Sequence, residues 1–294
     1  MKKQIIVLCT IFILMISVGF VIAGQKDKAQ KPNKFILPKN AMEVAPGVFY
    51  LGKALDKGQL VEGYAFIIKD KKEFARATCG DGKCHPKETN TCPADCGEVS
   101  DPNPDPEEPD TSSCYTFLAE GAKWKSVEPY IFDTDNGEGL NAQVIKNNLA
   151  LDIGKWESAT GGYDILGVGT TGDVDGNTIG QLNNKNEVMF GDIDPDNAIG
   201  VTIVWGVFSS PLNRRVLVEW DMMFDDVDFD WGMDESDKMD FENIATHELG
   251  HAIGMGDLYT AECDTQTMYG YSTEGETSKR DLADGDIAGI NILY

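Results

Sequence analysis

Basic residues are scarce in this chain of 294 residues. Lys and Arg together number 25, against 49 Asp and Glu, and the formal net charge is −24 at pH 7. Such a surface repels a phosphate backbone, which argues against nucleic acid as a partner. Two interpretations of the acidic excess stay open. Clusters of carboxylates can bind hard cations such as calcium, or the charge only keeps the protein soluble.

Long apolar runs are scarce as well, and the longest one begins the chain. The stretch MKKQIIVLCTIFILMISVGFVIAG places two lysines before the run and ends in small residues, with Val21 and Ala23 positioned as in a signal-peptidase site. This pattern predicts a signal peptide over residues 1–24 and a secreted, extracellular protein. The alternative is an uncleaved membrane anchor, because the run approaches the roughly 20 residues that span a bilayer.

Cysteine is concentrated in one short stretch. Of the 7 cysteines, Cys9 lies in the leader and six follow it. An even number in an exported protein favours disulfides over free thiols. The stretch 79–97, CGDGKCHPKETNTCPADCG, is too short to fold by apolar burial alone, and it contains four of the six: Cys79, Cys84, Cys92 and Cys96.

The same stretch resembles a cysteine-rich CGDGxC module of exported microbial proteins. Two disulfides are expected within it, and three acids could surround a calcium ion: Asp81, Glu88 and Asp95. Zinc held by four thiolates is the alternative. His85, inside this module, is expected to be solvated.

Composition divides the chain into five regions. These are the signal peptide over 1–24, a propeptide or accessory β-rich module over 25–78, the cysteine-rich module over 79–97, an acidic proline-rich linker over 98–113, and a main domain over 114–294. In the second region, turn signals at Pro46-Gly47 and Lys57-Gly58 separate β-prone runs, so a small β module is predicted over about 36–76.

The main domain alternates β-prone segments with helical patterns. VEPYIFD predicts a first strand, and residues 141–160 predict a helix with one buried face. Three β-prone segments follow: YDILGV, NEVMF and AIGVTIVWG. A fourth, RVLVEWDMMF, alternates strictly and places five residues on one side: Val216, Val218, Trp220, Met222 and Phe224. Asp240 is the predicted N-cap of a second helix. The segment LADGDIAGINILY predicts a C-terminal helix.

Histidine is the scarcest of the chemically useful residues, with 3 in the chain, and two of them fall in HELGHAIGMGD, residues 247–257. His247 and His251 lie four apart in the second helix, so both can bind one ion from the same face. Glu248, beside them, is placed to act as a base toward water. Gly254 lets the chain leave the helix and double back, so a third ligand is expected just beyond this bend.

These residues resemble the metzincin zinc endopeptidases, and within them the matrixin-like branch. Their motif, HExxHxxGxx followed by a third ligand, places Asp257 in the ligand position, where most relatives carry histidine and the snapalysin group carries aspartate. The resemblance implies a methionine turn at Met268. It implies an α+β domain with a twisted five-stranded mixed sheet, an active-site helix and a C-terminal helix. The edge strand over the cleft is expected within 199–205, where an extended peptide adds as a further strand.

The function implied by this resemblance is secreted, zinc-dependent hydrolysis of peptide bonds by a zinc-activated water, with Glu248 as general base. Peptides or proteins would be the substrates of an expected monomer, and a membrane would be involved only if the leader is retained. Two alternatives stay open. One is an extracellular binding or adhesion protein that uses the peptidase domain as a scaffold, and the other is a precursor that processes only itself.

Further acidic groups are possible calcium sites, as metzincins often carry such ions. They are Asp173, Asp175 and Asn177 in GDVDGN, and Asp192, Asp194 and Asp196 in GDIDPDN. Each group is equally explained as a polar turn. Parity of the cysteines suggests that Cys114 and Cys263 form a disulfide that ties the start of the domain to the loop after Asp257.

Overall fold

A mixed sheet of ten strands dominates the computed structural model, which describes residues 33–71 and 111–294. In chain order the strands of the fold are β1 Lys34–Ile36, β2 Met42–Ala45, β3 Val48–Asp56, β4 Gln59–Asp70, β5 Thr116–Phe117, β6 Ile131–Phe132, β7 Thr170–Thr171, β8 Glu187–Asp194, β9 Ala198–Val207, β10 Val216–Asp225, β11 Trp231–Gly232, β12 Met239–Asp240, β13 Met255–Gly256 and β14 Tyr271–Ser272. The helices are α1 Ala142–Ala159, α2 Phe241–Ala252 and α3 Asp284–Leu293.

The order of the main sheet is β2-β3-β4-β9-β10-β8-β6-β7, with β1 paired to β8 and β14 paired to β4. Strands β10, β8, β6 and β7 run parallel to one another, while β9 is antiparallel to both of its neighbours, β10 and β4. Two pairs of short strands, β11 with β12 and β13 with β5, lie outside this sheet. The mixed sheet with helices agrees with the expected α+β class.

The β-rich region near the N-terminus forms strands, and these strands join the main sheet. Both predicted turns are present, and Gly47 and Gly58 adopt positive φ angles of 71° and 84° there. Strand β4, however, pairs with β9 from Glu62 opposite Gly206 to Lys69 opposite Ala198. The sheet is therefore larger than the five strands expected, and β9 is an interior strand, not the edge strand expected over the cleft.

Strand β4 joins this sheet because it is apolar on both faces. Val61, Ala65 and Ile67 are buried in one hydrophobic cluster, and Phe66 and Ile68 are buried in the other. A strand with two apolar faces needs cover on both sides, which an interior position in a large sheet provides.

Helix α1 forms as predicted. The side chain of Asn141 caps it by accepting hydrogen bonds from the backbone N–H groups of Gln143 and Val144. Its expected apolar face is buried, and the members of that face are Ile145, Leu149, Ile153 and Trp156. The indole N–H of Trp156 donates to the carbonyl oxygen of Thr246 over 2.9 Å, which fixes α1 against α2.

The segment YDILGV, residues 163–168, does not form the predicted strand. A side chain satisfies its backbone donors instead, because Oε1 of Glu157 accepts from the N–H groups of Ile165 at 2.7 Å and Leu166 at 3.1 Å. The strand that pairs with β6 on the side away from β8 is β7, Thr170–Thr171, which begins two residues after this segment ends.

Strand β10 forms, but its predicted single apolar face is wrong. A β-bulge between Leu217 and Glu219 shifts the register against β9. Val216 and Val218 therefore pack beside the same cluster as Val61. On the other side of the bulge, three residues face the cluster that contains α2: Trp220, Met222 and Phe224.

Helix α2 lies in the interior between β9 and α1, and it is buried along nearly all of its length. The predicted C-terminal helix is present as α3. None of the helices within 33–71 and 111–294 combines the length and apolar character that a membrane crossing needs. The leader, the module over 79–97 with its candidate ligands Asp81, Glu88 and Asp95, and most of the linker over 98–113 lie outside the described residues.

Candidate metal centre

Helix α2 presents His247 and His251 on one face. The helix begins at its predicted cap, where the carboxylate of Asp240 accepts from the N–H of Asn243 over 2.9 Å. One helical turn separates the two imidazoles, and their Nε2 atoms lie 3.2 Å apart. The chain then leaves the helix through Gly254, whose φ of 105° disfavours any residue with a Cβ. This bend brings the next segment back toward the histidines.

Asp257 lies on that returning segment and completes a triangle of ligand atoms. Its Oδ1 is 3.4 Å from Nε2 of His247 and 3.3 Å from Nε2 of His251. Tetrahedral zinc with bonds of about 2.0–2.1 Å separates its ligand atoms by roughly 3.3 Å, so all three edges of the triangle fit this ion. Oδ1 is also buried, with no hydrogen-bond donor among the described residues. The donor set and the spacing therefore suit one zinc ion.

Backbone carbonyls orient both imidazoles. Nδ1 of His247 lies 2.7 Å from the carbonyl oxygen of Thr267, and Nδ1 of His251 lies 3.1 Å from that of Met255. A carbonyl only accepts, so each Nδ1 carries the proton and each Nε2 offers a lone pair to a metal. Burial lowers the pKa of His247 and so favours the neutral ring that a metal needs.

The other oxygen of Asp257 is held by a residue that no sequence pattern singled out. The hydroxyl of Tyr259 donates to Oδ2 over 3.0 Å. Burial, followed by the charge of Asp257, raises the pKa of Tyr259 far above its ordinary value, so this hydroxyl keeps its proton. Burial alone would raise the pKa of Asp257, but the two histidines hold it below its usual range. The carboxylate is therefore charged, and Tyr259 holds it through Oδ2.

Glu248 belongs to α2, and its side chain contacts β9 and is fully buried. The hydroxyl of Thr202 donates to its Oε2 over 2.5 Å, while Oε1 has no hydrogen-bond partner in the described part of the chain. Gly200 leaves room for this carboxylate, since a Cβ there would lie 3.1 Å from Oε1. Burial raises the pKa of Glu248 to about 7. Thr202 thus anchors one oxygen of the carboxylate and not the other.

Met268 is buried beneath α2 at a turn held from two sides. Its carbonyl oxygen accepts from the N–H of Leu258 over 2.9 Å. The carboxylate of Asp286, in α3, accepts from the N–H groups of Met268 at 3.2 Å and Thr267 at 2.8 Å. Gly250 makes room for the thioether, because a Cβ at this position would lie 2.2 Å from its sulfur atom. Helix α3 therefore fixes the turn that carries the carbonyl partner of His247.

The expected calcium ligands separate into a turn and an ion-paired cluster. In the first group, Oδ1 of Asp175 accepts from both the backbone and the side-chain nitrogen of Asn177, at 3.0 and 2.7 Å, as in a polar turn. In the second, the carboxylate of Asp192 lies within 4.8 Å of those of Asp225 and Asp228, and this close group does not include Asp194 or Asp196. The ammonium group of Lys34 lies 2.8 Å from Asp192.

The disulfide suggested by cysteine parity is present. Cys114 and Cys263 are bonded, with their Cα atoms 5.5 Å apart. Nearby, β5 pairs with β13, so Phe117 lies opposite Met255. The start of the main domain is therefore fastened to the segment that carries Asp257.

Three residues support the centre through hydrogen bonds, and their residue types gave no signal. Thr202 comes from β9, Tyr259 follows the third ligand by two residues, and Asp286 comes from α3. The spacing of four residues between the two histidines, with the glycine after them, predicted the candidate ligands. A hydroxyl or carboxylate that holds a ligand has no fixed spacing from it.

Comparison with known proteins finds similarity to metalloproteinases. The matrixin family model matches residues 209–294, a range that contains α2, Asp257, Met268 and α3. Metalloendoproteinase 2-MMP of Arabidopsis thaliana is 26% identical over 184 residues, which are 61% of this chain and 45% of that protein. This chain thus spans less than half the length of that relative. Metalloproteinase-II from Bacteroides fragilis aligns over 85% of this chain and 78% of its own, with 11% identity and a TM-score of 0.32.

Proposed function

We propose that this chain, which is a matrixin-like metzincin over residues 209–294, is a zinc-dependent endopeptidase. His247, His251 and Asp257 would hold the zinc, and Glu248 would act as general base. The observation that carries the proposal is the triangle of ligand atoms with edges of 3.2, 3.4 and 3.3 Å, beside a buried carboxylate.

A set of three protein ligands is typical of a catalytic zinc site. Structural zinc sites are closed by four protein ligands, whereas catalytic sites leave a position for water or substrate. When bound here, zinc would polarise the carbonyl of a peptide bond and lower the pKa of water. An aspartate among the ligands adds a negative charge, so the ion would be a weaker Lewis acid than in a site of three neutral histidines.

The chain's own residues supply the proton transfers. Glu248 is held by Thr202 through Oε2, so Oε1 points in one direction and can take a proton from water on attack. The same oxygen can then return this proton to the leaving amine, because the carboxylate does not need to move. Tyr259 holds Asp257, and Thr267 holds His247, so the ligands keep their orientation while substrate enters.

Secretion is part of the proposal and rests on the N-terminal leader and the cysteines. The disulfide between Cys114 and Cys263 suits an oxidising compartment. Protein or peptide substrates outside the cell are therefore expected.

Metal analysis combined with a peptide-library digest tests the proposed function. The purified chain should contain one zinc per molecule. Cleavage, assayed on the intact chain and after a cut within residues 98–113, should stop with a zinc chelator and return with added zinc. Asp257→Ala should lose zinc and activity together, while Asp257→His should keep the metal. Full zinc occupancy and turnover in Asp257→Ala, or cleavage that ignores the chelator, would contradict the proposal.

A further inference from the structure

The segment that carries Asp257 lies inside a closed ring of backbone. Just before Asp257, strand β13 pairs with β5 in the antiparallel sense. Just after it, a disulfide joins Cys263 to Cys114, which lies shortly before β5 in the chain. Strand pairing at one end and a covalent bond at the other therefore enclose residues 257–262, which we call the ligand ring.

The β5 side of the ligand ring is a fixed support. The hydroxyl of Thr116 donates to the backbone carbonyl oxygen of Asp257 over 3.1 Å. The carbonyl oxygen of Cys114 packs against α3, where a Cβ at Gly285 would lie 2.2 Å from it. The backbone of the candidate ligand is thus attached to a strand that is itself held by the C-terminal helix.

The outer side of the ligand ring has little buried surface to keep it closed. Residues 260–262 and 264–265 are exposed, and Cys263 between them is 8% exposed. Two backbone hydrogen bonds here are local, since the N–H of Cys263 donates to the carbonyl oxygen of Thr260 and that of Asp264 donates to Ala261. Segments with few buried contacts open at a low cost in free energy. The disulfide therefore anchors a part of the chain that packing holds weakly.

Of the three candidate ligands, Asp257 is the one that lies inside the ligand ring. The two histidines belong to α2, which is buried along nearly all of its length. The carbonyl partner of His247 is Thr267, and its backbone is held separately, because its N–H donates to Asp286 of α3 over 2.8 Å. Opening the ring should therefore displace the third ligand and its support Tyr259 while the histidines stay in place.

We propose that the disulfide between Cys114 and Cys263 positions Asp257 for the metal, so that zinc affinity depends on the oxidation state of this pair. The inference rests on the proposed function and adds a condition under which the site is complete. Reduction by a dithiol breaks the S–S bond: two electrons and two protons pass to the two sulfur atoms, which become thiols, and the reductant becomes a disulfide. The site is then complete in an oxidising compartment and weakened in a reducing one.

The first test compares the oxidised full chain with the double variant Cys114→Ser/Cys263→Ser. Competition against a chromophoric chelator should show that the variant binds zinc about tenfold or more weakly. Cobalt in place of zinc should show weaker visible bands in the variant, because water replaces a protein ligand. The reduced parent, freed of the dithiol under nitrogen, should give the same visible bands as the variant.

The double variant is also the control for the other cysteines. It keeps the four cysteines of residues 79–97, so treatment with the dithiol should leave its visible cobalt bands unchanged. Cobalt bound by freed thiolates of that stretch gives separate charge-transfer bands in the near ultraviolet. The change at the candidate centre is thereby assigned to Cys114 and Cys263.

Insertions in the exposed loop test the positioning with the disulfide intact, and so do not depend on folding without it. Two glycines inserted after Thr260 lengthen the ligand ring, whereas two inserted after Asp264 lie outside it, and both positions are exposed. The first insertion should lower zinc affinity about tenfold or more, and the second should leave it near the parent's value. Circular dichroism checks that both variants are folded.

A double-mutant cycle shows whether the ligand ring acts through Asp257. In Asp257→Ala the ring has no ligand to position, so the insertion after Thr260 should cause no further loss of the weaker zinc binding that remains. A merely structural role would cause the same loss in both backgrounds. That result would overturn the inference.

The remaining outcomes separate this inference from the proposed function. Equal zinc affinities in the oxidised parent and the folded double variant would overturn the inference, and so would equal losses from the two insertions. If zinc affinity follows the disulfide but the oxidised chain cleaves no peptide, the inference is supported and the proposed function is contradicted. If the folded, oxidised chain binds no zinc, both are wrong.

Discussion

Tyr259 donates a hydrogen bond to Oδ2 of Asp257 over 3.0 Å, while Oδ1 of the same carboxylate faces His247 and His251. The tyrosine lies two residues after the ligand, so the short segment that returns from Gly254 carries both the ligand and its support. A carboxylate with one supported oxygen has its rotation fixed before a metal arrives.

Tyr259→Phe should weaken zinc binding without changing the ligands. The variant keeps the ring and loses only the hydroxyl, so zinc affinity should fall by about 10- to 100-fold. Competition against a chromophoric chelator measures this. Tyr163→Phe, at a half-exposed tyrosine whose ring packs at a tilt against that of Tyr294, is the control and should bind zinc like the parent. Equal affinities in the two variants would show that the hydrogen bond does not support the ligand.

Two glycines in helices, Gly250 and Gly154, allow a matched test of how packing affects stability. At Gly250 a Cβ would lie 2.2 Å from the sulfur of Met268 and 2.9 Å from the ring of Trp156, whereas at Gly154 in α1 it would meet nothing within 4 Å. Gly250→Ala should therefore lower the free energy of unfolding by about 1–3 kcal/mol. Gly154→Ala should raise it by up to about 1 kcal/mol. Urea unfolding of both variants measures this, and a neutral Gly250→Ala would mean that Met268 does not pack under α2.

Glu248→Gln should separate metal binding from chemistry. The amide keeps an oxygen for Thr202 but cannot take a proton, so peptide turnover should fall by a factor on the order of 100 or more. Zinc content, measured by elemental analysis, should stay that of the parent. If the variant binds zinc and keeps near-native turnover, Glu248 is not the general base.

The buried carboxyl group of Glu219 should make the free energy of unfolding depend on pH. Burial raises its pKa to about 7 from an ordinary 4.5, although the N–H groups of Asn183 and Asn184 donate to the carboxylate. The folded protein therefore binds more protons than the unfolded chain between these values. The stability from this group is fully present below pH 4.5 and is lost as pH rises through 7.

Glu219→Gln keeps an oxygen acceptor and removes this titration. Its free energy of unfolding should exceed that of the parent at pH 8 by on the order of 1 kcal/mol, with a smaller difference at pH 5. Urea unfolding at the two pH values measures the difference. Glu262→Gln, at an exposed glutamate, should track the parent at both. If the free energy of unfolding of Glu219→Gln changes with pH as that of the parent does, Glu219 is not the group that causes the pH dependence.

The candidate centre could be predicted from sequence because its geometry is local. Residues four apart share a helical face, and a glycine at 254 permits the bend that returns Asp257, so one segment of eleven residues holds all three ligands. Thr202 and Asp286 could not be predicted in the same way. They reach the centre through the packing of β9 and α3, which residue spacing does not encode.

The fold could be predicted less completely, for two physical reasons. Pairing of β4 with β9 joins segments more than a hundred residues apart, although the apolar run in QLVEGYAFII was a signal for an interior strand. The bulge at Leu217 reverses the two faces of β10, and alternation alone gives no sign of where a bulge occurs.

Anomalous diffraction at the zinc edge, on crystals of the zinc-loaded chain, tests the central claim most directly. The account predicts one peak about 2.0–2.2 Å from Nε2 of His247, Nε2 of His251 and an oxygen of Asp257. It also predicts no other protein ligand to that ion. A peak held by the two histidines with a different third residue, or no peak between them, would contradict it.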